Sequence, residues 1–343
     1  MTASGGITDH RPRGELTAPS AEHLGQLFAK VVGTVQTALY ADDMTVQLAV
    51  GCLLAEGHLL VEDLPGLGKT TLAKALAQSL GLGFHRLQFT ADLLPADITG
   101  AMILDRARGE PVFRPGPIFT NLLMADELNR ASARSQSALL EAMEEHQVST
   151  DGQTLQLPRP FMVLATQNPF DAAGTSPLPH GQRDRFLLRL SLGYPSRSAE
   201  DQLIARGDFP ADLAPLPAAL SASELESLMA GVAAVHVSTA ARGYILDLVT
   251  ASRCHPGFAV GASPRASIAL RRASAALAVA AGRHYVTPTD IQRAIGPALG
   301  HRLILELGSQ RSGTGVDEVI TDLVHQVPLP ETDALAAAGR TDN

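Results

Sequence analysis

Tryptophan is absent from this chain, aromatic residues make up only 4% of it, and lysine occurs just three times, at Lys30, Lys69 and Lys74. Proteins that track single-stranded nucleic acid stack bases on aromatic side chains inside a positively charged groove. A chain with few aromatics and a formal net charge of −8 has neither in bulk, so nucleic acid is not the expected partner. The two cysteines, Cys52 and Cys254, lie in unrelated stretches and give no disulfide framework or metal pattern, and are expected to be small hydrophobes in a reduced compartment. No run approaches 18 apolar residues, and the opening "MTASGGITDHRPRGE" has no apolar core, so neither a membrane span nor an export signal is expected; the cytoplasm is the expected location.

What remains is a soluble globular composition, 45% hydrophobic and 18% charged over 343 residues, enough for one large or two ordinary cores. Residues 1–19 and 328–343 are rich in small and polar residues and are expected to be flexible tails. A helical pattern runs through "EHLGQLFAKVVGTVQTAL" and "MTVQLAVGCLLAEG", with Gly57 as its stop. Five apolar runs of strand length follow, "HLLVE", "FHRLQF", "NLLMAD", "FMVLAT" and "FLLRLSL", with helical segments between several of them. Fully apolar strands alternating with helices predict an α/β fold with a mostly parallel sheet covered on both faces. Past residue 195 helices take over, so an α/β domain at 20–195 and a smaller all-helical one at 196–327 are expected. The segment "TPTDIQRAIGPALG" carries Thr287 as N-cap, Pro288 at the first helical position and Asp290 in the first turn. Hairpins are expected at about 101–116, around Arg108-Gly109, and at 146–157, around Asp151-Gly152.

The chemistry centres on "VEDLPGLGKTTLAKAL", residues 61–76. It satisfies the phosphate-loop pattern G-x-x-x-x-G-K-[ST] at Gly68, Lys69 and Thr70, but begins with Asp63 where glycine is expected. Backbone N–H groups from Pro65-Gly66-Leu67-Gly68 to Thr71, with the helix N-terminus behind them, would cradle phosphate oxygens. Lys69 would reach the β- and γ-phosphates, and the Thr70 hydroxyl would ligate Mg²⁺. Asp63 falls in the turn leaving the strand, where aspartate tolerates left-handed backbone and can cap the turn with its own carboxylate. Thr71 stands where a dinucleotide fingerprint needs its third glycine, which disfavours that reading.

Two further strand ends complete the constellation. "NLLMADELNRA" ends in Asp126, suited to the Mg²⁺ hydration shell, and Glu127, suited to polarising an attacking water. "ATQNP" puts Asn168 at the end of the next apolar strand, where its amide could orient that water. Taken singly, an acidic pair after a strand is a solvated strand end, and Asn-Pro is a turn. Together with the loop, in this order, they point to nucleotide hydrolysis.

In these motifs the chain resembles the MoxR branch of the AAA+ ATPases. The stretches that carry the likeness are "LPGLGKTTLAKALA", "LQFTADLLPADITG", "FRPGPIFTNLLMADELNRA", "SQSALLEAMEEHQV", "ATQNPFDAAGTSPLP", "DRF" and "GASPRASIAL". They lie between about Val32 and Ile304, and the family accepts Asp63 at the loop's first position. The resemblance implies a P-loop AAA+ core with a helical lid, ATP and Mg²⁺ as ligands, and a homo-oligomeric ring of hexamer type. It implies that the two hairpins are the helix-2 insert and the pre-sensor-1 hairpin lining the ring's pore. It makes Arg185 of "RDRF" the arginine finger, Arg265 of "SPRA" the sensor-2 residue, and Arg130 a weaker candidate for a contact across the ring. Val32-Gly33 becomes the expected adenine contact. It also implies a protein or metalloenzyme complex as client, reached in many relatives through a partner with a von Willebrand factor A domain.

The chain departs from the family pattern in "PLPHGQ" at 177–182, where an acidic and a small residue are usual, and at Asp171, where glutamate is common. Arg183 replaces the usual leucine before the finger, which leaves Arg183 and Arg185 both open for that role. Competing readings are a helicase-like nucleic-acid motor, a metal-chelatase motor subunit and a non-hydrolysing nucleotide switch. Intact Lys69, Asp126, Glu127 and Asn168 argue against the last.

Overall fold

The structure is a computed structural model that describes residues 19–105, 109–150, 153–168, 178–206, 215–311 and 314–330. The expected tails through residue 18 and from 331, the turn residues Arg108, Asp151 and Gly152, and Asp171 lie outside the described residues.

Ser20 caps α1 (Ala21–Gln36) by accepting from the His23 N–H, and Asp42 caps α2 (Asp43–Leu54) by accepting from Met44 and Thr45. The left-handed residue after α2 is Glu56, φ 54°, and not Gly57 as the sequence suggests. Gly57 is glycine for another reason: a Cβ there would run into Leu187. β1 (Leu59–Glu62), α3 (Lys69–Ser79) and β2 (Phe84–Gln88) follow. α4 (Pro95–Thr99) leads into the antiparallel hairpin of β3 (Gly100–Asp105) and β4 (Glu110–Pro115). β5 (Leu122–Asp126), α5 (Ala133–Glu145) and a second hairpin, β6 (Gln147–Thr150) with β7 (Gln153–Gln156), precede β8 (Met162–Gln167). α6 (His180–Arg183) and β9 (Leu188–Leu190) close this half.

The second half contains α7 (Arg197–Arg206), α8 (Ala222–Ala234), α9 (Thr239–Cys254), β10 (Phe258–Val260), α10 (Pro264–Ala280), α11 (Pro288–Leu299), β11 (Ile304–Leu305), α12 (Leu307–Arg311) and α13 (Val316–Gln326). It is not purely helical: β10 and β11 pair antiparallel. The cap on α11 is the expected one, with the Thr287 N–H and hydroxyl both donating to Asp290 at 2.8 Å.

The five apolar runs form one parallel sheet in the order β2-β5-β8-β1-β9. Alternate residues of the central strands enter different cores, as the period of two requires. Leu59, Val61, Leu122, Met124, Met162 and Leu164 face one core; Leu60, Leu123, Ala125, Val163 and Ala165 face the other, against α5. β2 departs from the expectation of fully apolar strands, because at the sheet edge its His85, Arg86 and Gln88 are exposed. The first core extends from the sheet through α1 and α2 into α8, α9, α10 and α11 without a break. Gly51 of α2 lies so close to Ala276 of α10 that a Cβ there would clash with it. Cys52 is buried in this core, which pushes its thiol up to about 12, whereas Cys254 is exposed rather than buried.

Candidate nucleotide site

Parallel strands place their carboxyl ends on one edge of the sheet, and ligands collect there. Here that edge carries a cleft of about 480 Å³. The loop supplies Pro65, Gly66, Gly68, Lys69, Thr70 and Thr71; β5 supplies Asp126 and Glu127; β8 and the residue after it supply Thr166 and Asn168. Gly66 and Gly68 have φ of 86° and 90°, a left-handed backbone that side chains resist, and Gly68 opens α3 with the helix N–H groups behind it. Leu67 belongs to the loop but does not line the cleft.

Asp63 does not do what the sequence suggests. Its backbone is not left-handed, and its carboxylate does not cap its own turn. Instead it accepts from the Ser191 hydroxyl at 2.7 Å and the Leu192 N–H at 2.5 Å, tying the end of β1 to the chain leaving β9. Its carbonyl oxygen accepts from Lys69 Nζ at 2.6 Å, which parks the lysine across the loop. Burial lowers the Lys69 ammonium below the usual lysine value, while the carboxylates of Asp63, Asp126 and Glu127 pull it back up.

The acidic pair is held by four residues, of which sequence reasoning singled out only Arg130. Thr166 donates to Asp126 Oδ1 at 2.5 Å and accepts from the Glu127 N–H at 2.9 Å, fixing both residues from β8. Arg86 of β2 donates to Asp126 Oδ2 at 2.5 Å. Gln88 of β2 donates to Glu127 Oε2 at 2.8 Å. Arg130 pairs with the same oxygen at 3.1 Å. Glu127 itself has φ 55°, a strained backbone for a non-glycine residue of the kind that gathers at functional sites. Lys74 and Arg86 add positive charge to the cleft wall. The hydroxyl of Thr70 and the carboxylate of Asp126 are hard oxygen donors facing one space, a donor set that suits Mg²⁺.

Other expected residues lie elsewhere. Val32 is buried in the core on α1 and Gly33 is exposed on the same helix, and neither lines the phosphate cleft or the cavity beside it. A second cavity of about 670 Å³ flanks the ends of β1 and β9, between Leu48, Ser191, Ile295 and Pro297. Arg185 and Arg265 do not line the phosphate cleft; both pair with Glu144 at the end of α5, Arg185 at 3.1 Å. Arg183, the alternative finger, has its Nε buried with no hydrogen-bond partner among the described residues. Asp184, between the two arginines, is tied to the helical half by buried Arg302 at 2.7 Å and by Ser263 at 3.0 Å. His180 Nε2 donates to the Arg302 carbonyl at 2.7 Å, a packing role and not a ligand's.

A family profile described as "ATPase family associated with various cellular activities (AAA)" matches residues 58–188, and one described as "AAA lid domain" matches 250–323. Protein YeaC of Bacillus subtilis (strain 168), uncharacterised, is 40% identical over 90% of this chain and 97% of its own. Chaperone MoxR1 of Mycobacterium tuberculosis is 36% identical over 99% of this chain and 96% of its own. This chain belongs to the MoxR family of AAA+ ATPases. A solved structure of a Cytophaga hutchinsonii protein superposes on this MoxR-family chain with a TM-score of 0.83, at 33% identity over 91% of this chain and 97% of that one. The parallel sheet, the loop and the helical half are therefore those of an AAA+ fold. No helix among the described residues is long and apolar enough to cross a membrane.

Proposed function

We propose that this MoxR-family ATPase is a Mg²⁺-dependent motor that hydrolyses ATP at the interfaces of a cytoplasmic hexameric ring and remodels a protein or metalloenzyme complex. The observation that carries the reading is the convergence of Lys69, Thr70, Asp126, Glu127 and Asn168 on one cleft. The loop amides and Lys69 hold the phosphates, with Lys69 exchanging the Asp63 carbonyl for phosphate oxygens. Mg²⁺, held by Thr70 and Asp126, would neutralise charge on the β- and γ-phosphates. Glu127, oriented by Gln88, Arg130 and Thr166, accepts the proton of the attacking water, and the Asn168 amide orients that water.

Arg185 and Arg265 point to a neighbour's nucleotide, because they sit together away from their own chain's cleft. Arg185 is favoured over Arg183 as the finger, since Arg183 is partly turned inward. The base is assigned to the cavity beside β1 and β9. The two hairpins are assigned to the pore, and the β3–β4 hairpin exposes Ile103, Leu104 and Val112 for a polypeptide client. The name of the M. tuberculosis relative supports a chaperone-like role. A von Willebrand factor A domain protein is the proposed adaptor.

The test is ATP turnover by the chain and by Glu127→Gln, with solution mass recorded with and without nucleotide. Turnover that needs Mg²⁺ and falls about a thousandfold in the variant, with nucleotide binding kept and rings of six, is the expected outcome. Absence of nucleotide binding in the unaltered chain would sink the reading.

A further inference from the structure

Arg185 and Arg265 come from opposite halves of the chain yet converge on one carboxylate. Arg185 precedes β9, Arg265 lies in the first turn of α10, and Glu144 ends α5. Arg185 Nη2 takes Glu144 Oε2 at 3.1 Å, and Arg265 Nη2 takes Oε1. Among the described residues no other carboxylate is in ion-pair reach of either arginine. Asp184, the nearest alternative in sequence, is already engaged by Arg302 and Ser263. Two guanidinium groups therefore share one negative charge in a groove that also contains Arg272, while the groove's other carboxylates, Glu56 and Asp184, are engaged by Arg159 and Arg302. All three side chains of the cluster are partly exposed, so it can open toward an arriving surface.

Two guanidinium forks on two oxygens of one group is also the arrangement that grips a phosphoryl group. The backbone that carries Glu144 is held in place, so the carboxylate moves only by its own side-chain torsions. Its helix end is anchored by the His146 N–H on the Ala142 carbonyl at 3.0 Å, and by buried His58, whose Nε2 lies 3.0 Å from the Met143 carbonyl. An arginine that reaches outward must break its pair with Glu144.

We propose that Glu144 is a positioning residue that holds Arg185 and Arg265 together as a pre-aimed pair and competes for them with the γ-phosphate bound by the neighbouring subunit. This rests on the reading of both arginines as acting across the ring interface. The carboxylate takes the place the phosphoryl group occupies in the loaded interface, so each subunit's arginines are released only when the neighbour carries a triphosphate. ADP, which has no γ-phosphate, leaves the pair on Glu144.

The experiment uses mixed rings of full-length chains. Glu127→Gln chains keep their arginines but lack the base, and Arg185→Ala chains keep the base but lack a finger. Turnover in the mixture, absent from either alone, establishes action across the interface. If the mixture is inactive, the trans reading fails and this proposal falls with it. Glu144→Gln is then added to one partner at a time. On the arginine-donating chain it should lower half-saturating ATP about threefold, the scale of one exposed ion pair, with no gain in kcat because the pair loses its alignment. Inhibition by ADP should be unchanged, and Glu144→Asp should restore the original values. On the other chain the substitution should do nothing. An effect that is equal for ATP and ADP, that follows the cleft-donating chain, or that is absent while the mixture remains active overturns the proposal and leaves the trans reading standing. Thermal denaturation of Glu144→Gln alone checks that the helix end is intact.

Discussion

Asp126 has two claimants. Its Oδ1 is taken by the Thr166 hydroxyl and its Oδ2 by Arg86, yet it is also the carboxylate best placed for a divalent cation. A guanidinium on the same oxygen competes electrostatically with the cation, although both bring positive charge to the phosphates. Replacing Arg86 by Gln should therefore lower the Mg²⁺ concentration for half-maximal turnover while raising half-saturating ATP, measured by titrating each at saturation of the other. A rise in the Mg²⁺ requirement would mean that Arg86 orients Asp126 instead of competing. At this scale the sequence showed the loop and the acidic pair, because spacing along a strand–loop–helix unit is a local property. It did not show the partner of Asp63, since Ser191 and Leu192 lie across the sheet and far along the chain. Arg86 and Gln88 were hidden for the same reason: they alternate on a strand whose neighbour, β5, comes after an intervening hairpin.

Among the elements, α5 is fastened to the sheet by a histidine that must stay neutral. His58 accepts the Val163 N–H at Nδ1, 3.0 Å away, so its proton sits on Nε2 toward the Met143 carbonyl. A second proton would face the Val163 donor. Burial lowers its pKa from 6.5 to about 4, with His146 and Arg272 adding to the effect and the Met143 bond opposing it. The unfolded chain thus takes up this proton below pH 6.5 and the folded chain only near 4. The stabilisation is complete above the higher value and is lost as pH falls between them, by at most about 3 kcal/mol. Chemical denaturation from pH 7 to 4 should show this loss, and it should shrink in His58→Gln. Buried His301, also pushed down by burial and by Arg302, will contribute in the same direction. Strand and helix identities were legible here from apolar runs and caps such as Thr287–Asp290. The β10–β11 pair was not, because two or three residues leave no period to read.

For the molecule as a whole, the decisive feature is a core that ignores the boundary drawn near residue 196. α1 and α2, at the start of the chain, pack on α8 and α10 as well as on the sheet side, so apolar burial binds the halves together. Composition along the chain marks the change from strands to helices but says nothing about which helices return to cover which. Phe28, 1% exposed within this core, tests the point. Truncation to Ala should cost about 3–5 kcal/mol and lower one calorimetric transition, whereas two independent units would show one peak moving and one staying. A subunit assembled in this way behaves as a single gear tooth. Its nucleotide edge and its helical half share one apolar core, so a small rotation at one would be carried to the other. In the proposed ring, mechanical work would come from wedges tilting against one another around the circumference, with the width of the subunit as the lever arm.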